Sequence, residues 1–364
     1  TLHDAWWLCE KQFMVKNDGR YCFQTEIDLR VCASGCTSAA QFTYQRSLAL
    51  REVLDDAALL LTPSDFQRNL YLANGTPPGR IRVNRNGVLP PQPRNKTDDT
   101  PGKVRFAYLG GRAHHKGYFF LRSVFRGLPH SNYLLKICDI HLRLGVKSID
   151  RREWRVAGQV EIVPPYDQTT IDAFLAEVDV LLFPSQWKES FGLTIREALA
   201  RDIWVVMTDS GGTTEAASDG VNANIVPIGD LEGFRAALRN ILDDPAFLRT
   251  YANPHKRRIR TFAEQAAELQ EILVDCVERQ RLLAVGTSTP VGGIHRCIMD
   301  HQAGARQTSY GEPRTKPSRR PNGMTAAVCS QNNKSPQYRM VARQRLATFP
   351  GRATMDRTGA PGMA

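Results

Sequence analysis

The chain has 364 residues, 42% of them hydrophobic and 23% charged, and carries a formal net charge of +11. That length holds two domains with sizeable cores, and no apolar run is long enough to span a bilayer, so the expectation is a soluble, cytoplasmic chain rather than a helical membrane protein. The charge argues for nucleic acid only through the tail: 12 Lys+Arg and 3 Asp+Glu fall in residues 285 to 364, which leaves 36 and 34 in residues 1 to 284, a net of +2.

The opening "TLHDAWWLC" lacks a polar lead-in and reads as an internal stretch of a longer chain. Four thiols follow within 28 residues, at Cys9, Cys22, Cys32 and Cys36. Their spacing is not a standard zinc pattern, yet in a cytoplasmic protein such a cluster favours a structural metal, zinc or iron–sulfur, over disulfides. Partly buried free thiols are the competing reading. A helix-like "RSLALREVLDD", an apolar strand in "ALLLTPS", a second helix-like run and "RIRVNRNGV" complete residues 1 to 88. These runs are expected to form one N-terminal domain, residues 1 to 88, with the four cysteines in its first part. The Pro-rich, polar "LPPQPRNKTDDTPGK", residues 89 to 103, is the linker.

From 104 the pattern alternates. The strands expected are "VRFAYLG", "NYLLKICD", "VEIVP", "DVLLFPS", "WVVMTDS" and "ANIVPI". Between them fall the helices "GYFFLRSVFRGL", "TTIDAFLAEV" and "LTIREALA", and after them the helix "DLEGFRAALRNILDD", capped at Asp230. Such alternation predicts βαβ units on a parallel sheet over 104 to 283, closed by an amphipathic helix from Phe262 to Leu283. Residues 284 to 364 are rich in Pro, Gly, Ser, Gln and Arg, and are expected to be a disordered basic tail.

Parallel sheets bind ligands beyond the carboxyl ends of their strands. That rule gathers Gly110–Gly117, Ser185–Gly192 and Asp209–Glu215 around one crevice. In "WKESFGLTIREALA" the Gly192 backbone can approach a ligand closely, and the free amides opening the next helix favour an anion. Glu189 beside them is poorly suited to phosphate but well suited to accept hydrogen bonds from hydroxyls. Glu197, eight positions on, can do the same for a second set. A diphosphate flanked by two polyols, a nucleotide sugar, fits that order. Considered alone, the two glutamates could equally be a helix-start and a surface carboxylate. Glu215 could merely favour a helix dipole, and His114 and His115 read as exposed loop residues.

"ESFGLTIRE" resembles the E-x7-E signature of retaining glycosyltransferases of the GT-B type, family 4. "YLGGRAHHKG" is similar to that family's donor loop, and "TLHDAWWLC" to the His-Asp stretch of its N-terminal domain. The resemblance covers residues 1 to 283. It implies an α/β, GT-B-like fold of two Rossmann-like domains, the N-terminal one incomplete and bearing a cysteine insertion, and transfer with retention, with no cofactor required for catalysis. It implies that Lys116 contacts the donor diphosphate, with Gly110, Gly111 and Arg112 in the same loop. By the same resemblance Phe191, Gly192, Leu193 and Thr194 line the donor site, Glu189 binds sugar hydroxyls, and Glu197 binds the ribose. His3 is placed across the cleft, near the transferred sugar or acceptor. The implied partners are a nucleotide-diphosphate sugar and a saccharide or lipid-linked acceptor, the latter with peripheral contact at the inner face of a membrane. Three positions depart from the family pattern. Gly111 stands where an arginine is common, Asp202-Ile203-Trp204 replaces a Gly-x-Pro, and Ala223 follows Asn222 in place of glycine.

Overall fold

The structure, a computed structural model, describes residues 1–36, 40–92 and 102–286. Most of the basic tail expected at 284–364, and the middle of the linker, lie outside the described residues.

The N-terminal region is built from α1 (Leu29–Gly35), α2 (Ala40–Asp56), β1 (Leu60–Thr62), α3 (Asp65–Ala73) and β2 (Ile81–Val83). Strands β1 and β2 are parallel and only three residues long. Leu2 lies beside them and donates its amide to Leu61 O at 2.7 Å. Leu2, Leu60, Tyr71 and Ile81 form a small buried cluster under α3. Ser64 starts α3 as a cap, its hydroxyl accepting the Gln67 amide at 3.0 Å and satisfying one of the helix's orphan donors. Helix α2 leaves Phe42, Tyr44, Leu48 and Val53 exposed.

The larger region begins at β3 (Val104–Tyr108) and continues through α4 (Tyr118–Arg126), β4 (Tyr133–Cys138), β5 (Gln159–Val163), α5 (Ile171–Ala176) and β6 (Val180–Phe183). It then runs through α6 (Leu193–Leu199), β7 (Trp204–Thr208), β8 (Ala223–Val226), α7 (Leu231–Asp243) and the short α8 (Phe247–Thr250). All six strands are parallel, in the order β5-β4-β3-β6-β7-β8. Each residue of β3 and of β7 is buried, as a sheet covered on both faces requires. One face packs on α4 and α7 through Leu121, Phe125, Phe234 and Leu238; the other packs on α5 and α6 through Leu175, Ile195 and Leu199. The apolar periodicity of each segment predicted these helices, and the alternation of elements predicted the parallel sheet.

The strand order fixes where a ligand can sit. The chain steps outward from β3 through β4 to β5, then returns to the centre at β6 and steps outward the other way. The loops leaving β3 and β6 therefore diverge and open a crevice at the carboxyl edge.

The last helix, α9 (Phe262–Gly286), extends three residues past its expected end. It also does more than close the larger region. Val88 donates to Arg260 O at 2.8 Å, and Phe262 donates back to Val88 O at 3.2 Å. Gln265 Oε1 accepts the Gly87 amide at 2.8 Å, and Glu268 Oε2 accepts from Asn84 Nδ2 at 2.7 Å. Helix α9 thus lies against the N-terminal region.

Candidate active site

The crevice is a cavity of about 310 Å³ at the switch between β3 and β6. The β3 exit supplies Tyr108, Leu109, Gly110 and Lys116 to its wall; the β6 exit supplies Pro184, Ser185, Glu189 and Ser190, and the start of α6 supplies Phe191 through Thr194. His3 and Asn86 line the same cavity from the N-terminal region.

Each loop has a local reason for its path. Gly117 has φ +84°, and a Cβ there would lie 1.9 Å from Pro184 O. Only glycine lets the Lys116 loop close onto the β6 exit. Gly192 has φ +75°, and its missing Cβ would lie 2.7 Å from Thr213 Cγ2. The Tyr108 hydroxyl, 3.0 Å from Gly111 O and 3.2 Å from Lys116 O, gathers the first loop around one buried ring.

Lys116 Nζ and Glu189 Oε2 form an ion pair at 2.9 Å, and Ser185 Oγ donates to Glu189 Oε1 at 2.8 Å. The Glu189 side chain is 9% exposed, so its charge is held by a cation and a hydroxyl rather than by water. Its backbone is fixed as well: Glu189 N donates to Ser210 O at 2.8 Å, and Gly212 N donates to Glu189 O at 2.9 Å. The segment after β7 therefore braces the glutamate, whereas Asp209–Glu215, expected around the crevice, does not line this cavity.

Residues 92–263 match the family model described as glycosyl transferases group 1. Over this segment the chain is similar to group 1 glycosyltransferases. The chain is 33% identical over 185 residues to a glycogen synthase of Mycobacterium tuberculosis, which is 49% of this chain and 44% of the relative. It is 31% identical over 170 residues to the lipopolysaccharide core biosynthesis glycosyltransferase LpsE of Rhizobium meliloti, 46% of this chain and 48% of that one. The chain thus spans about half the length of the curated relatives it matches. Among solved structures, sucrose-phosphate synthase from Thermosynechococcus elongatus aligns with a TM-score of 0.53 at 18% identity, over 70% of this chain and 66% of that one. The fold is the GT-B arrangement of parallel α/β sheets.

Within the larger region, some expected residues lie elsewhere. The Arg112 guanidinium points to Glu153, 3.1 Å away, and Arg122 shares that carboxylate at 2.9 Å. Neither Arg112 nor Gly111 lines the cavity. Glu197 does not line it either; its carboxylate accepts the Tyr166 hydroxyl. Burial raises the Glu197 carboxyl above the usual range, against the pull of Tyr166 and of Arg201. Glu215 does more than open a turn: its Oε1 accepts the Phe66 amide at 2.7 Å, tying the domain to α3. His115 is no simple exposed loop residue, since its ring stacks on Phe13 at 5.1 Å and burial lowers its pKa.

The structural metal is not supported. Among the described residues no group of three or more His, Cys, Asp or Glu is placed to hold a metal ion. Cys9 packs with Met14, Tyr21 and Trp187, and burial pushes its thiol up to about 11. Cys32 and Cys36 are buried one turn apart, across α1 and its cap, with thiols also raised by burial.

Sequence reasoning missed Asn86 and Arg196; Ser185 and Ser190 fall in the stretch expected at the crevice but were given no role. Ser185 had a signal, since "FPS" ends the strand that delivers Glu189. Arg196 is 5% exposed, donates to Phe191 O and to Gly212 O (3.0 Å), and lies 3.4 Å over the Phe191 ring. Burial lowers its pKa to about 9, which leaves it charged at neutral pH. A helical arginine between Ile195 and Glu197 gives no hint that it clamps the loop before it.

Proposed function

We propose that this chain transfers a sugar, with retention of configuration, from a nucleotide-diphosphate donor to an acceptor hydroxyl of a cell-surface glycan or glycolipid. The observation that carries the reading is Lys116, Glu189 and Ser185 meeting at the switch-point cavity, with His3 on the opposite wall. A diphosphate entering the cavity competes for Lys116 Nζ and meets the backbone amides at the start of α6. Charge leaving with the nucleoside diphosphate is stabilised there by a preorganised cation and by dipoles, without a metal. Releasing Lys116 leaves Glu189 an open acceptor for sugar hydroxyls, held in register by Ser185. Those contacts position the anomeric carbon and strengthen as positive charge develops on the ring. Gly110, Phe191, Gly192, Leu193 and Thr194 shape the donor seat, and His3 faces the transferred sugar. Glu197, one turn beyond Thr194, serves the ribose once the Tyr166 hydroxyl yields. The LpsE relative supports a cell-surface glycan as acceptor, and a lipid-linked acceptor brings the chain to a membrane face. No helix among the described residues is long and apolar enough to cross a membrane.

The test compares Glu189→Gln with Glu197→Gln, by calorimetry of UDP and GDP and by nucleoside diphosphate release from a panel of donors. Glu189→Gln should lower turnover at saturating donor while leaving nucleotide affinity within a few-fold. Glu197→Gln should mainly weaken donor binding. Nucleotide binding without release by the unaltered chain would leave a binding protein rather than an enzyme. Unchanged binding and turnover in both variants would remove the two carboxylates from the site.

A further inference from the structure

A second cavity, of about 320 Å³, lies against the first and shares Asn86 and Phe191 with it. Four guanidinium groups line it, from Arg85, Arg196, Arg258 and Arg260, and Glu215 supplies the carboxylate among its lining residues. The positive charge is only partly answered. Arg260 pairs with Glu268 at 2.6 Å; Arg85 pairs with Asp65 and lies 3.7 Å from Glu215. Among the described residues Arg258 forms no ion pair, and the buried Arg196 meets backbone carbonyls rather than a carboxylate. Glu215, whose charge also acts on Arg196, is therefore the one carboxylate among the lining residues of a cavity with four arginines. Planar, weakly hydrated guanidinium forks match phosphate oxygens better than they match neutral hydroxyls. His255 and Ser218 complete the wall, 3.4 Å apart between Nδ1 and Oγ.

We propose that this second cavity is a phosphate-class anion site that seats the charged group of the acceptor. The acceptor assignment rests on the glycosyl-transfer reading above; the anion site itself does not. Phe191 forms part of both walls, so a group held at Arg258 extends past that ring toward the sugar end of the donor cavity. A phosphate borne by the acceptor and a free phosphate ion share this chemistry, and they differ in what they do to the donor.

The probe is inorganic phosphate, titrated by calorimetry into the full chain already saturated with UDP, against chloride at equal ionic strength to remove screening effects. Saturable phosphate binding is expected, weakened about tenfold in Arg258→Gln, with UDP affinity unchanged by phosphate and by the substitution. Arg260→Gln gives a second reading, with the melting temperature reporting whether each variant folds. Phosphate binding that is absent, or equal in the parent and both folded variants, would overturn the anion site. Phosphate that shifts UDP affinity would mark a free-ion effector and overturn the acceptor assignment. Failure of UDP to bind would sink the donor reading instead; phosphate titrated into Lys116→Ala then tests the second cavity alone.

Discussion

The two regions of this chain hold themselves together differently. The six-stranded sheet is sandwiched between helices, and Phe106, Leu135, Ile137, Val180 and Val206 are wholly inaccessible. The N-terminal region has two three-residue strands, a core of a few side chains, and a helix whose apolar residues face outward. Its order depends on neighbours: Glu215 caps α3, α9 lies along β2, and Phe13 wedges between His115 and Trp187. The lesson is that the cleft wall bearing His3 is positioned by the larger region opposite it. That region needs no such help.

The sharpest way to break this asymmetry is to loosen the larger core. Phe106→Ala deletes a fully buried ring at the centre of the sheet and should cost about 3–5 kcal/mol. Hydrogen exchange should then show both regions losing protection together. Protection surviving in α3 while the sheet opens would mean that the N-terminal region stands alone.

Next in size is the donor contact. Lys116→Ala should weaken UDP or GDP binding by about 1–3 kcal/mol, read by calorimetry, because a charge-assisted contact is lost. Unchanged affinity would take the lysine out of the site.

A smaller effect sharpens the comparison from the N-terminal side. The Tyr71 hydroxyl donates to Asp4 O at 2.9 Å, beside Gln67 Nε2 on the same carbonyl, and so holds the loop that carries His3. Tyr71→Phe should cost about 0.5–1.5 kcal/mol. It should lower turnover more than UDP affinity, since UDP is proposed to bind the other wall. Equal losses in both would place His3 in the nucleotide seat.

The smallest effect is a pH dependence. The Glu197 carboxyl is raised in the folded chain, so the folded state holds its proton more tightly than the unfolded state does. Stability from this group is fully present below the unfolded pKa of about 4.3 and is lost as pH rises through the raised folded value. Glu197→Gln should therefore flatten the fall in melting temperature between mildly acid and neutral pH. An unchanged slope would show that Glu197 is not the group responsible.

Much of this was legible in the sequence, and the boundary between legible and illegible is physical. Strands such as "VRFAYLG" and "DVLLFPS" are continuous apolar runs because both sheet faces are covered, so the parallel sheet and the crevice at its carboxyl edge could be read directly, but not the order of the strands. Glu189 could be set at the crevice because a strand end and a glycine-led helix start flank it, and Lys116 because its loop resembles a family donor loop. Arg112 could not, because its partner Glu153 lies 41 residues away and leaves no local mark. The four cysteines misled for a related reason: spacing shows that thiols are near in sequence, whereas ligation needs sulfurs that converge and lose their protons. Arg196 and the second cavity were invisible because the segments after β2 and β7, the helix α6 and the turn before α9 meet only in three dimensions.

The paired crossing at Val88 and Thr261 has a mechanical consequence. The backbone leaves the N-terminal region at Val88 and returns at Thr261, and the two segments pair as a parallel bridge. A Cβ on Gly87 would lie 2.2 Å from Thr261 C, so the two passages are as close as backbone allows. A single tether would let the halves swivel freely, but two abutting tethers resist torsion and leave bending as the soft coordinate. Any change in the gap between His3 and Lys116 is therefore expected to run along one bending arc about this crossing.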